Sequence, residues 1–107
     1  MKTFDDLIFE PHPHAVALKQ IYSSNPNISP YIEEMLDATQ ARMDFPNGYG
    51  ISVLCGNQFY SNGRNTYEVG VMYQGRLIRY FPNDSVIGWQ TKEEVSELIK
   101  EVQKLEE

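Results

Sequence analysis

The run Phe45-Pro46-Asn47-Gly48-Tyr49 narrows the fold more than any other feature, because it joins two arms in which apolar and polar residues alternate. Ala41, Met43 and Phe45 alternate with Gln40, Arg42 and Asp44, the period of a strand with one buried face. A two-residue type I′ loop at Asn47-Gly48 would set Asp44 against Ile51 and Met43 against Ser52, mixing the faces. A three-residue loop, with Pro46 and Asn47 in a type I turn and Gly48 left-handed as a bulge, pairs Phe45 with Tyr49, Met43 with Ile51 and Ala41 with Val53. Apolar then meets apolar, so an antiparallel hairpin is expected over 39–45 and 49–55, with Cys55 on the core face.

A second hairpin follows the same logic. Tyr67 to Tyr73 and Arg76 to Phe81 are joined by Gln74-Gly75, and a two-residue turn there sets Val71 beside Ile78 and Val69 beside Tyr80. Glu68, Gly70, Met72, Leu77, Arg79 and Phe81 then share the opposite face, with Gly70 opposite Arg79 leaving room for the arginine stem. Thr91-Lys92-Glu93-Glu94 is a capping box, Thr91 as N-cap and Glu94 at N3, and Val95, Leu98, Ile99, Val102 and Leu105 form one helical stripe behind it. Pro82-Asn83-Asp84-Ser85 is turn chemistry, and Val86-Ile87-Gly88-Trp89 is expected to cross the sheet end with Trp89 anchoring the start of that helix. Ser29 as N-cap and Pro30 at N1, followed by Tyr31, Ile32, Met35 and Leu36, predict a short helix over about 30–38. Residues 4–9 and 14–22 show no decisive period, and Pro11 and Pro13 interrupt them. The expected fold class is α+β: a four-stranded antiparallel β-meander (39–45, 49–55, 66–73, 76–81), a C-terminal helix (92–105) packed on one face, and a short N-terminal helix.

At 107 residues one domain is expected, with 1–37 as an N-terminal extension, 38–90 as the meander and 91–107 as the terminal helix. Fifteen acids against nine bases give a net charge of −6, which weighs against direct nucleic-acid binding, since that affinity comes largely from clustered Lys and Arg. All four arginines, Arg42, Arg64, Arg76 and Arg79, fall in the one stretch that is not acidic. The longest strongly apolar run, Ala15 to Leu18, is too short for a membrane span or a secretory segment. A single cysteine makes no intrachain disulfide and fits a reducing cytosol.

Glu10, His12 and His14 alternate on a proline-flanked segment and can point the same way, as metal ligands do, but no ligand set elsewhere completes them. A proline-rich turn with exposed imidazoles is the preferred account. Cys55 would need one of those histidines as a base to act as a nucleophile, and its core-face register favours a small buried hydrophobe. No nucleophile elbow or phosphate-loop ending occurs. The segment 56–65 is more informative: Phe59, Tyr60 and Arg64 stand among Gly and Asn residues, and aromatics and Arg are the types enriched at interface hot spots. Phe59 and Tyr60 either tuck under a long connection or face a partner. Arg42 and Arg79 belong to a sheet face that either the N-terminal helix covers or a partner does.

The stretch Phe45-Pro46-Asn47-Gly48-Tyr49-Gly50-Ile51-Ser52-Val53, followed by Tyr67-Glu68-Val69-Gly70-Val71 and by Asp84-Ser85-Val86-Ile87-Gly88-Trp89 before a capped helix, resembles a group of small bacteriophage accessory proteins. The likeness spans about residues 38–105, echoes at Phe9-Glu10-Pro11-His12-Pro13, and departs over 15–37. It implies a protein acting in the host bacterial cytoplasm, and carries over no catalytic residue. The expectation is a non-enzymatic inhibitor of a bacterial host or anti-phage defence protein, anti-CRISPR-like or otherwise anti-defence, needing no cofactor and using Phe59, Tyr60, Arg64, Arg42 and Arg79. The alternatives are a small-ligand or signalling-nucleotide sponge using Arg42, Arg79 and Tyr60, and an enzyme or metal protein centred on His12 and His14.

Overall fold

The computed structural model describes residues 2–24, 38–56, 59–82 and 84–105. In chain order its elements are a 3₁₀ turn (Phe4–Asp6), β1 (Glu10–Pro11), α1 (Pro13–Ser24), β2 (Thr39–Asp44), β3 (Tyr49–Cys55), β4 (Thr66–Tyr73), β5 (Arg76–Leu77), β6 (Val86–Thr91) and α2 (Lys92–Gln103). The class is α+β, an antiparallel sheet with α2 packed on it. The sheet runs β1-β2-β3-β4-β5, and β6 also pairs with β4.

Turn chemistry sets the first hairpin. Gly48 takes φ +87°, a left-handed backbone that costs a Cβ-bearing residue, and Phe45 N–H donates to the Tyr49 carbonyl at 2.8 Å. Met43 therefore faces Ile51 and Ala41 faces Val53, as the loop count requires. In the second hairpin Gln74 and Gly75 have φ +49° and +83°, a left-handed pair that sets Tyr73 against Arg76 and Met72 against Leu77.

The expected four-strand meander fails beyond that turn, because two strands share the far edge of β4. Ile78 N–H still reaches the Val71 carbonyl, but Tyr80 N–H folds back onto the Ile78 carbonyl at 3.0 Å, a tight turn at Arg79 that ends the extended run. Tyr80 then donates to the Glu101 carboxylate of α2 at 2.6 Å. The edge left open is taken by β6, so Val69 pairs with Ile87 and Gly70 with Val86, not with Tyr80 and Arg79. The space over Gly70 is filled by Leu77 and Val86. Phe81, expected on the outward face, packs against the core cluster and edge-on to Tyr80.

The capping box holds α2 as the sequence predicts: Glu94 N–H donates to Thr91 Oγ1 at 3.2 Å and Thr91 N–H to Glu94 Oε1 at 3.1 Å. The helix ends at Gln103 and lays Val95, Ile99 and Val102, all fully buried, on Ile51, Val53, Val69 and Val71. Each such side chain contributes about 1.5–3 kcal/mol of burial. Leu98 and Leu105 flank this seam and are only partly buried. Asn47 joins sheet to helix, its amide donating to the Val102 and Leu105 carbonyls at 2.9 Å each, and so caps the C-terminus of α2.

Residues 4–9 are not loose. Phe4, Phe9 and Tyr67 form a ring cluster with centroids 5.2–5.9 Å apart, and Phe4 N–H donates to Ser96 Oγ. Pro13 opens α1 at the position where a missing N–H costs nothing. The helix expected over 30–38 lies outside the described residues, save Ala38, whose carbonyl accepts His12 N–H at 2.8 Å. No helix among the described residues is long and apolar enough to cross a membrane.

Candidate functional site

The residues that stand out gather where residues 59–65 fold back over β6, through Tyr60. Ser61 organises this connection. It is 3% exposed, and its hydroxyl donates to the Thr66 carbonyl at 2.7 Å while accepting the N–H groups of Gly63 at 3.0 Å and Gly56 at 3.3 Å. Asn62 Oδ1 accepts the N–H groups of Arg64, Asn65 and Thr66 at 2.9–3.1 Å, an Asx-type turn that closes the loop from the other side. Between these locks, Ser61 N–H donates to the Phe59 carbonyl at 2.8 Å, and the resulting turn throws Tyr60 outward.

Tyr60 lands on Gly88. A Cβ at Gly88 would collide with the Cβ of Tyr60, so only glycine admits this approach. Trp89 N–H donates to the Tyr60 carbonyl at 2.8 Å. The β4–β6 register slips here, with Tyr67 opposite Gln90 and Val69 opposite Ile87, so that Gly88 and Trp89 together oppose Glu68. Within that bulge Trp89 has φ +57°, a conformation costing a residue with a Cβ about 1–2 kcal/mol. The bulge does not turn Trp89 into the core. Trp89 is 59% exposed and Tyr60 58% exposed, their backbones joined by the Trp89 N–H to Tyr60 carbonyl hydrogen bond. This corrects the expectation that Trp89 anchors the start of the terminal helix.

Glu68 stands opposite Gly88 and Trp89 in this bulge. Burial pushes its carboxyl up, the Tyr60 N–H directed at it pulls partly back, and the charge of Asp84 pushes it up again. Of the five residues expected to bind a partner, Phe59 and Tyr60 divide: Phe59 is half-buried with its ring 5.1 Å from that of His12, while Tyr60 faces solvent. Arg64 is exposed on the Asn62 turn, and Arg79 is exposed at the tight turn after β5. Arg42 is exposed on β2, three strand spacings or about 14 Å across the sheet from β6, beside a cavity of about 320 Å³ lined by Ile8, Glu10, Gln40 and Ala41. The structure therefore places Arg42 away from Tyr60, whereas Arg64 follows Tyr60 on the same connection. Trp89, Glu68 and Gly88 are the members that sequence reasoning missed; the one cue was the pairing of an isolated Gly with a Trp in a β-rich run, which marks a bulge.

His12 is half-buried against Phe59, so the expected exposed imidazole is corrected there, and the His14 side chain lies outside the described residues. Among the described residues no three His, Cys, Asp or Glu side chains gather as a metal site would require. Cys55 is buried, and burial pushes its thiol up, away from the reactive thiolate, with the Ser61 hydroxyl 3.9 Å from its sulfur pulling slightly back. No family model, curated protein or solved structure matches the chain.

Proposed function

We propose that this protein works without catalysis, by occupying the surface of a protein partner through the Tyr60–Trp89 corner. The observation that carries this reading is that the fold exposes two large aromatics, by 58% and 59%, at a hydrogen-bonded corner where Trp89 holds a left-handed backbone, instead of burying them. Tyr and Trp are the residue types that dominate interface hot spots, and a rigid presentation lowers the entropy lost on binding. The likeness of residues 38–105 to small bacteriophage proteins directs the search to a bacterial host or defence protein, with inhibition as the consequence of occupancy and the host cytoplasm as the place.

The test is capture from bacterial lysates, with and without defence systems, using the intact chain beside Tyr60→Ala and Trp89→Asn. A captured protein that is lost with both variants while their melting temperatures hold supports the reading. Retention by both variants, or turnover of a substrate by the purified chain, overturns it. A nucleotide that raises the melting temperature of the purified chain would favour the sponge instead.

A further inference from the structure

β2 is an outer strand for most of its length. β1 pairs with it at Gln40 and Thr39 only, so among the described residues 41–44 have a strand beside them on the β3 side alone. Phe45 N–H donates to the Tyr49 carbonyl, so Phe45 directs its backbone at β3, and in an antiparallel ladder the alternate residues Met43 and Ala41 do likewise. Arg42 and Asp44 therefore direct their N–H and C=O groups away from β3, as Gln40 does toward Glu10. A free edge of this kind is a template for another strand. The Arg42 and Asp44 side chains are exposed on the outward face, while Ala41 and Met43 are buried on the other. Neither the guanidinium nor the carboxylate makes an ion pair or a hydrogen bond among the described residues, where the ion pairs are Lys92 with Asp5 and Lys100 with Glu97.

We propose that this edge of β2 pairs antiparallel with the same edge of a second copy of the chain, about a two-fold axis at Met43. Charge and the neighbours of the edge select the register. Centred on Met43, Arg42 faces the partner's Asp44: the two exchange backbone hydrogen bonds, and their opposite charges meet on the outward face. The two-fold repeats the whole set with the copies exchanged. A slide of one residue sets buried faces against exposed ones. A slide of two residues sets Arg42 against Arg42, with the incoming Asp44 running into Glu10 at Gln40, or sets Asp44 against Asp44, with Arg42 facing a Pro46 that has no N–H to give. Where pairing with β1 stops, Ile8 is 76% exposed at a cavity of about 320 Å³ that it lines with Glu10, Gln40, Ala41 and Arg42. In the Met43-centred register the second copy's turn 45–48 arrives at that cavity.

Sedimentation velocity of the intact chain, from about ten micromolar to about one millimolar, reads the association directly. A short strand pair buries less than a standard interface, so the mass is expected to climb from monomer towards dimer in the upper part of that range. Arg42→Asp and Asp44→Arg each set like charges against one another in a homodimer, and each alone is expected to associate at least about tenfold more weakly. Mixed in equal amounts, one chain presents carboxylates at both positions and the other guanidiniums, so the mixture is expected to regain the dimer. That recovery separates a lost contact from a lost fold, because a misfolded variant would not regain it. A dimer that both variants leave intact, or a mixture that stays monomeric, overturns the proposal. So does a wild-type chain that is monomeric throughout; if Arg42→Asp then weakens capture of a lysate protein, the edge belongs to that protein and not to a second copy. Tyr60 and Trp89 take no part in this pairing, so loss of capture with Tyr60→Ala leaves it standing.

Discussion

The two ends of the β3–β4 pair are built from similar parts and do opposite things with them. At the turn end, Asn47 and the left-handed Gly48 shape a hairpin, and the Asn47 amide then closes the last carbonyls of α2. Tyr49 and Tyr73 pack there at a tilt with centroids 4.6 Å apart, and Tyr80 reaches Glu101, so aromatic surface and polar groups are used on one another. At the loop end, Ser61 and Asn62 make as many hydrogen bonds, yet the aromatics they position, Tyr60 and Trp89, point to solvent. One end spends its order on the fold. The other leaves its two aromatics exposed.

The largest expected effect falls on both ends alike, because both stand on the same core. Ile99→Ala should cost about 2–5 kcal/mol in urea denaturation, and Leu98→Ala clearly less, since Leu98 is only partly buried. A larger loss at Leu98 would rotate α2 on the sheet. The anchors separate the ends. Ser61→Ala strands the buried Gly56 N–H together with the part-buried Gly63 N–H and Thr66 carbonyl and should cost about 2 kcal/mol, whereas Asn47→Ala, which affects only part-buried carbonyls, should cost about 1 kcal/mol. Only Ser61→Ala should also weaken partner capture, because only it loosens Tyr60. Capture lost equally in both would make the distinction between the ends one of stability alone.

What was legible in the sequence follows the same division. Loop length and alternation settle the Met43–Ile51 register, and the Thr91/Glu94 box settles the start of α2, because both are decided by residues within a few positions of one another. The exchange of β5 for β6 was not legible. Arg76 to Phe81 alternates as well as a full strand would, and what ends it is Tyr80 turning to Glu101, a contact between residues far apart in sequence. Only the face rule for Val86 to Trp89, read with an edge of β4 already vacant, would have placed β6. The aromatic corner was half legible: composition singled out Tyr60, but Trp89 takes a left-handed backbone that no Gly or Asn announces.

Trp89→Asn sharpens the comparison most directly, since Asn tolerates a left-handed backbone that Trp adopts only at a cost. At an ordinary interior tryptophan such a change would remove about 3–5 kcal/mol. Here the relief of strain offsets the modest loss of contact, and stability should stay within about 0.5 kcal/mol of wild type or rise. Paired denaturation and capture measurements check this. A loss of several kcal/mol would mean that Trp89 is a structural residue and that the loop end, like the turn end, serves the fold.

The smallest effects are in pH dependence, and the two ends should report at opposite limits of the scale. Burial, and next the hydrogen bond donated to the Glu101 carboxylate, push Tyr80 up to about 12. The folded chain therefore keeps this proton where the unfolded chain, with an ordinary phenol near about 10, has lost it. That contribution is complete below the unfolded value and disappears as pH rises through the folded one. Wild type should lose stability relative to Tyr80→Phe on that climb. Glu68 has the same sign at the acid end: burial pushes its carboxyl up, so its contribution is complete below the unfolded carboxylate range and is lost as pH rises through the folded value. Wild type should then gain on Glu68→Gln as pH is lowered. Stability differences between each variant and wild type, followed across both limits, make that comparison; an acid limb identical in wild type and Glu68→Gln would mean that burial of Glu68 does not set the loop end's response.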